Sequence, residues 1–226
     1  MTKRFSALTR KTSDELLGAY RALMFAIADL TDSRDPETGA HLERTRNYCV
    51  VLADKLSRHP RYKGHIDHGF LESIYHVSPL HDVGKVAVPD AILLKPGRLD
   101  AGEYEIMKTH AAAGADAFAK VLEQCDTPLF RMAHRICLHH HEKWDGTGYP
   151  ARLAGDAIPL EARVMSFADV YDALRSKRVY KPPMTREATR DEIRRSAGAF
   201  FDPVMTEVLL ENIDHFETIH DKFQDC

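Results

Sequence analysis

The chain is poor in paired cysteine: Cys49, Cys125, Cys137 and Cys226 are its only four, and no two stand in a CxxC or similar spacing. That pattern argues against a disulfide scaffold and a thiolate zinc site, and fits free thiols in a reducing cytoplasm. Long apolar runs are also missing, none approaching the roughly 20 residues of a spanning helix. The basic start, Met1 to Lys11, lacks the apolar stretch of a signal peptide. Neither sign of charge dominates, with 31 Lys and Arg against 34 Asp and Glu and a net charge of −3. No global field therefore draws the protein to nucleic acid or a membrane, and an anionic substrate needs a local positive site. Alternating strand patterns, internal repeats and low-complexity tracts are absent as well. These absences leave a cytoplasmic, all-α protein as the expectation.

What is present suits that class. The apolar fraction of 44% and charged fraction of 29% can build one large domain, with or without an appendage. Leu16, Leu17, Tyr20, Leu23, Met24, Ile27 and Leu30 recur at spacings of three and four after Ser13-Asp14-Glu15, predicting an amphipathic helix to about Thr31. We assign residues 1–30 to this segment, as a linker or dimerisation helix, and 31–226 to the domain proper. A second helix opens near Pro36–Gly39 and runs through Leu56, and residues 57–69 read as a loop. Leu71 to Leu80 marks a third helix, perturbed at Pro79 and stopped by Gly84, followed by an irregular stretch over 86–102. Further helices are expected over Glu103–Val121, Leu129–His140, Glu161–Leu174, Arg186–Ser196 and Pro203–Ile213.

The chemistry lies in the 13 histidines, more than an ordinary core needs. His81-Asp82 offers an imidazole and a carboxylate to one divalent ion, and a carboxylate oxygen can bridge to a second. His41 and Glu37 are four apart on one helix face, although a solvated helix start with a carboxylate near its N-terminus explains them equally well. His110 lies on an apolar face, where a lone histidine is more often a satisfied core residue. Asp169 shares an apolar stripe with Met165 and Asp172, and a buried carboxylate needs a strong partner. His140 and His141 close a helix before a glycine-rich turn and can reach two ions, since adjacent helical residues point about 100° apart. Together these positions predict a polynuclear metal site. Three ionised carboxylates among neutral imidazoles would leave several divalent ions with an excess positive charge that attracts a phosphodiester. The mixed donors suit Fe, Mn, Zn or Co rather than Ca.

The ordered motifs resemble the HD-GYP family of cyclic di-GMP phosphodiesterases, within the HD-domain phosphohydrolases. They are His81-Asp82-Val83-Gly84-Lys85, Val88-Pro89-Asp90, Leu94-Lys95-Pro96-Gly97, Met107-Lys108-Thr109-His110, His140-His141-Glu142, Asp145-Gly146-Thr147-Gly148-Tyr149-Pro150 and Ala168-Asp169-Val170-Tyr171-Asp172, then Arg178, Tyr180-Lys181 and Phe201-Asp202-Pro203. The resemblance covers about residues 31–210 and implies an HD-type helical bundle around the metals. It implies His81, Asp82, His110, His140, His141 and Asp169 as core ligands, with Asp82 bridging, and Glu37 and His41 as ligands of a third ion. Two or three divalent ions are then expected, Fe or Mn foremost, with Zn, Ni and Co as alternatives. Asp82 and Lys85 take the catalytic roles, Lys85 near the scissile phosphate. Lys85, Arg178 and Lys181 hold substrate together with the Gly148-Tyr149-Pro150 loop, which is also linked to docking of GGDEF-type signalling proteins.

Arg175 departs from the family pattern, standing where Thr is usual and adding charge near the phosphate-binding segment. The approach through Ser78-Pro79-Leu80 resembles the response-regulator output subgroup. Residues 1–30 are too short for a receiver domain, so the chain is expected to be a stand-alone effector or a C-terminal output domain. The leading expectation is hydrolysis of cyclic di-GMP to pGpG or GMP. The alternatives are another cyclic dinucleotide or nucleotide as substrate, or a catalytically silent binding or docking module.

Overall fold

Ten α-helices make up the described part of the computed structural model, which covers residues 2–34, 39–177 and 182–224, with side chains from residue 15 onward. They are α1 (Thr2–Asp32), α2 (Gly39–Ser57), α3 (His68–Val77), α4 (Asp90–Leu93), α5 (Ala101–Gln124), α6 (Pro128–His139), α7 (Leu160–Arg175), α8 (Arg186–Arg195), α9 (Pro203–Glu211) and α10 (Ile213–Lys222). No strand forms among these residues; the one extended pairing is an isolated bridge between Ala197 and Phe201. The expected all-α class holds. No described helix is long and apolar enough to cross a membrane.

Helix α2 is the central strut. Its residues Leu42, Tyr48, Cys49, Leu52, Ala53 and Leu56 are all buried, facing Val164, Met165, Phe167, Ala168 and Tyr171 of α7 in one core. Tyr48 stacks on Phe216 of α10, with centroids 4.8 Å apart, and meets Tyr171 edge-on at 5.1 Å. Such aromatic pairs add about 0.5–1.5 kcal/mol beyond the area they bury. Helices α5 and α6 form a hairpin over Cys125–Thr127, and both their starts are set by local chemistry. At α5, Asp100 accepts from Glu103 N at 2.9 Å while the Glu103 carboxylate accepts from Asp100 N at 2.8 Å. At α6, Thr127 caps and Pro128 occupies the first helical position, where its missing N–H costs nothing.

Three details differ from the sequence expectation. Helix α1 begins at Thr2 rather than near Ser13, since no Pro or Gly interrupts residues 2–17. The expected single helix before His81 is α3 followed by a 3-10 turn at Ser78–Leu80, because Pro79 lacks the N–H that α geometry would use. The irregular stretch 86–102 contains the one-turn α4, whose Ile92 and Leu93 pack with Val88. The end of α1 joins the main core through Met24 and Ala28, while Leu16, Leu23 and Leu30 on its outer face are 60–73% exposed.

Candidate metal centre

The expected ligands fall into two groups. Asp82, His110, His140 and His141 present donor atoms within 4.8 Å of one another, and so do His41, His81 and Asp169. The adjacent pair His81-Asp82 therefore divides between the groups and joins them. It sits in the tight segment between the 3-10 turn and a second turn over Val83–Ala87, laid against α5.

Backbone carbonyls set the tautomers. His110 Nδ1 lies 2.7 Å from Met107 O, His140 Nδ1 lies 2.9 Å from Ile136 O, and His81 Nδ1 lies 2.9 Å from Ser78 O. A carbonyl oxygen only accepts, so each Nδ1 carries the proton and each Nε2 turns a lone pair inward. In the first group, the Nε2 atoms of His110 and His140 are 3.5 Å apart and stand 3.2 and 3.4 Å from Asp82 Oδ1. His141 Nε2 is 3.1 Å from His110 Nε2. Acceptors crowded in this way repel unless a cation lies among them. Among the described residues, the buried His81 Nε2 and Asp82 Oδ1 form no hydrogen bond. Buried polar atoms without partners are rare and costly, and here they fit a divalent ion.

The electrostatics favour the ligating form at Asp82, His140 and His141, whereas at His81 burial, which alone would lower the imidazole, is outweighed by the Asp82 carboxylate, which pushes it up. Burial pushes the His140 imidazole below its usual range, and burial with His140 alongside pushes His141 well below it. Burial alone would raise the Asp82 carboxyl, but Lys85 and His81 outweigh it and hold the group well below the carboxylate range. Lys85 Nζ lies 2.8 Å from Asp82 Oδ2.

In the second group, His41 is held by a side chain. Its Nδ1 lies 2.9 Å from Asp172 Oδ2, and Arg44 grips that carboxylate through Nε to Oδ1 at 2.6 Å and Nη2 to Oδ2 at 2.9 Å. All three residues are buried. Burial would raise the Asp172 carboxyl, yet the His41 and Arg44 hydrogen bonds bring it down to about 2.

Two glycines permit the arrangement. A Cβ on Gly84 would sit 1.9 Å from His110 O and 2.5 Å from Gly114 N, so only glycine lets the His81–Lys85 segment lie on α5. A Cβ on Gly148 would fall 2.4–2.6 Å from the backbone of residues 141–143. Beside it, the Tyr149 ring stacks on His141 at 4.7 Å, and Tyr104 meets Tyr149 edge-on at 6.4 Å. Lys108 Nζ is 5.4 and 5.5 Å from the centroids of these two tyrosines. Pro150 is exposed. The buried Glu142 carboxylate ties the loop back by accepting from Ala151 N at 2.7 Å and Leu153 N at 3.1 Å.

Of the expected site residues, His41, His81, Asp82, Lys85, His110, His140, His141, Gly148, Tyr149, Pro150 and Asp169 are placed as above. Glu37, Arg178 and Lys181 lie outside the described residues. His139, adjacent to His140 and His141, faces Glu142 instead. The charge of Arg175 does not stand loose near the substrate segment: it pairs with Glu217 at 2.9 Å and donates to Met184 O. Sequence reasoning missed Arg44, Glu142 and Asp172 as parts of the site. A signal existed for Asp172, a second carboxylate three residues from Asp169 on an apolar helix, and for Arg44, three residues from His41 on one helix face.

Residues 26–205 match the HD domain family. A probable cyclic di-GMP phosphodiesterase of Vibrio cholerae is 44% identical over 95% of this chain and 49% of its own length. A 3′3′-cGAMP-specific phosphodiesterase of the same organism is 43% identical over 93% of this chain and 38% of its own length. A cyclic di-GMP phosphodiesterase response regulator of Xanthomonas campestris is 36% identical over 90% of this chain and 50% of its own. The chain thus spans about half the length, or less, of these curated relatives. Among solved structures, a cyclic GMP-AMP-specific phosphodiesterase of V. cholerae superposes with a TM-score of 0.57 at 18% identity, covering 89% of this chain and 49% of that one. The family match begins in the last turns of α1, ends in α9 and encloses both donor groups, so the chain belongs to the HD-domain family.

Proposed function

We propose that this chain is a metal-dependent phosphodiesterase that opens cyclic di-GMP to pGpG and can carry the cleavage on to GMP. The observation that carries the reading is the pair of donor groups joined through His81-Asp82, with Lys85 beside them. Relatives named for this activity, 44% identical over 95% of the chain, support it. Two or three ions are proposed, Fe or Mn by preference, with Zn, Ni and Co as alternatives. With two ions, His41, His81 and Asp169 would hold one and Asp82, His110, His140 and His141 the other, with Asp82 shared; with three, His41 would turn its Nε2 to the third ion together with Glu37, leaving His81, Asp169 and Asp82 at the first. Bound there, the ions would supply Lewis-acid polarisation of the phosphate and lower the pKa of water to about 7.

The chain's own groups then act as follows. Asp82 stays ionised and holds the Lys85 side chain at the site, with Nζ 2.8 Å from Oδ2. In hydrolysis the bond from water oxygen to phosphorus forms as the bond from phosphorus to the 3′-oxygen breaks. Lys85 Nζ is the group proposed to stabilise or protonate that leaving oxygen. Tyr149 stacks on the His141 ring and would help hold it in place. Arg178 and Lys181 are proposed to hold the phosphates, for which the planar fork of arginine suits. The cytoplasm is the proposed location, where a nucleotide messenger would be met.

A second reading, hydrolysis of the mixed guanine–adenine cyclic dinucleotide, is favoured by the 43% identical relative named for 3′3′-cGAMP. Incubating Mn- or Fe-loaded protein with each dinucleotide, followed by HPLC, decides between them. Linear pGpG or GMP from cyclic di-GMP, at a kcat/KM above that for cGAMP, supports the first reading. The reverse order overturns it in favour of the second.

Two contacts with partners belong to the same proposal. The exposed Pro150 beside Tyr149 would dock GGDEF-type proteins. The outer face of α1 repeats Leu16, Leu23 and Leu30 at seven-residue intervals, with Ala19 and Ala26 between, a period that suits pairing with the same helix of a second copy.

A further inference from the structure

The histidines of the centre are oriented in two ways. His81, His110 and His140 each donate Nδ1–H to a backbone carbonyl of their own segment. His41 instead donates to the carboxylate of Asp172, 131 residues away in sequence. A carbonyl dipole fixes a ring, whereas a full negative charge also makes the far nitrogen a stronger donor. Asp172 is itself not free to turn. The Arg44 fork holds both its oxygens, and Ser176 Oγ lies 3.3 Å from Oδ2. Arg44 also reaches Ser176 Oγ and, through Nη1, Phe223 O at 3.0 Å, just past the end of α10.

We propose that Asp172 and Arg44 are positioning residues that set the metal affinity of the His41–His81–Asp169 group separately from that of the Asp82 group. Through the Phe223 carbonyl, Arg44 links that affinity to the seating of α10. The inference rests on reading these side chains as a metal site. A buried charge pair that only braced the helices would stabilise the fold without distinguishing the two groups. Here the pair ends on a ring nitrogen of one group alone. Replacing Asp172 by Asn keeps the shape, removes the charge behind His41, and turns an amide toward Arg44. Loss of such an outer partner lowers metal affinity by about 10–100-fold.

The test is titration of metal-free protein with Co2+, following the visible absorption of the bound ion together with calorimetry. His41→Ala identifies which binding step belongs to the His41 group. In Asp172→Asn that step should weaken by about 10–100-fold while the other step is unchanged. Equal weakening of both steps, or of neither, overturns the proposal. Should Asp172→Asn fail to fold, the 15N shifts of the His41 ring in metal-free wild-type protein give the answer. A protonated Nδ1 and an unprotonated Nε2 support it, and the opposite tautomer overturns it. If the wild type shows no step that His41→Ala removes, the metal reading of this group fails, a result distinct from a step that is present but indifferent to Asp172.

Discussion

A methyl group on residue 84 would occupy space already filled by α5. Its carbon would stand 1.9 Å from His110 O and 2.5 Å from Gly114 N, where ordinary contact begins at 3.4 Å. Both obstacles are backbone atoms in the middle of a 24-residue helix, so neither can swing aside as a side-chain tip would. In Gly84→Ala the segment carrying His81, Asp82 and Lys85 must therefore back away from α5 by about 1.5 Å, the shortfall at His110 O. Overpacking of this kind costs about 1–3 kcal/mol, and two backbone clashes place it at the upper end. The same displacement separates Asp82 from His110 and His140, which now lie 3.2 and 3.4 Å from its Oδ1. Misplacement by 1 Å costs reactions on the order of 10²-fold. We expect Gly84→Ala to lower the urea midpoint and to reduce kcat/KM for phosphodiester hydrolysis by roughly 100-fold. A variant with wild-type unfolding and turnover within twofold of wild type would refute the reasoning.

Three further outcomes follow from the geometry. Because Asp172 is held at about 2 against an ordinary 3.8, its contribution is fully present above pH 3.8 and lost as pH falls toward 2. About 2 kcal/mol of stability should disappear across that window in metal-free protein; equal slopes for wild type and Asp172→Asn in urea unfolding at each pH would contradict this. Glu142→Ala leaves the Ala151 and Leu153 amides without their acceptor, and should cost about 1–3 kcal/mol and speed proteolysis near residues 148–153. Cleavage at the wild-type rate would show that the loop is held otherwise. Leu23→Glu, on the exposed face of α1, should convert a dimer to a monomer by light scattering, and an unchanged mass would argue against pairing through that face.

Much of the centre was legible because its residues are unusual where they stand. A carboxylate at 169 on an apolar stripe and two histidines ending a helix invite a cation whatever the fold. The helices expected from Glu103 and Leu129 begin slightly earlier, at Ala101 and Pro128, where Asp100 and Thr127 cap them. What escaped depended on long-range packing. Nothing local to Asp172 says that its partner is Arg44, 128 residues earlier, nor that Glu142 turns to the loop and His139 rather than to the donor groups. Arg175 illustrates the same limit, since its partner Glu217 lies in the last helix. The start of α1 was misjudged because amphipathic periodicity marks where a helix is buried, not where it begins.

The Asp82-centred cluster is proposed to bind divalent ions and to use them to cleave a cyclic dinucleotide. The most direct measurement is product formation from cyclic di-GMP by Mn-loaded wild type and Asp82→Asn, with metal content determined on the same samples. The wild type should yield pGpG or GMP, and bound metal and product should be lost together in the variant. Undiminished hydrolysis by Asp82→Asn, or a metal-loaded wild type that leaves cyclic di-GMP intact, would contradict the proposal.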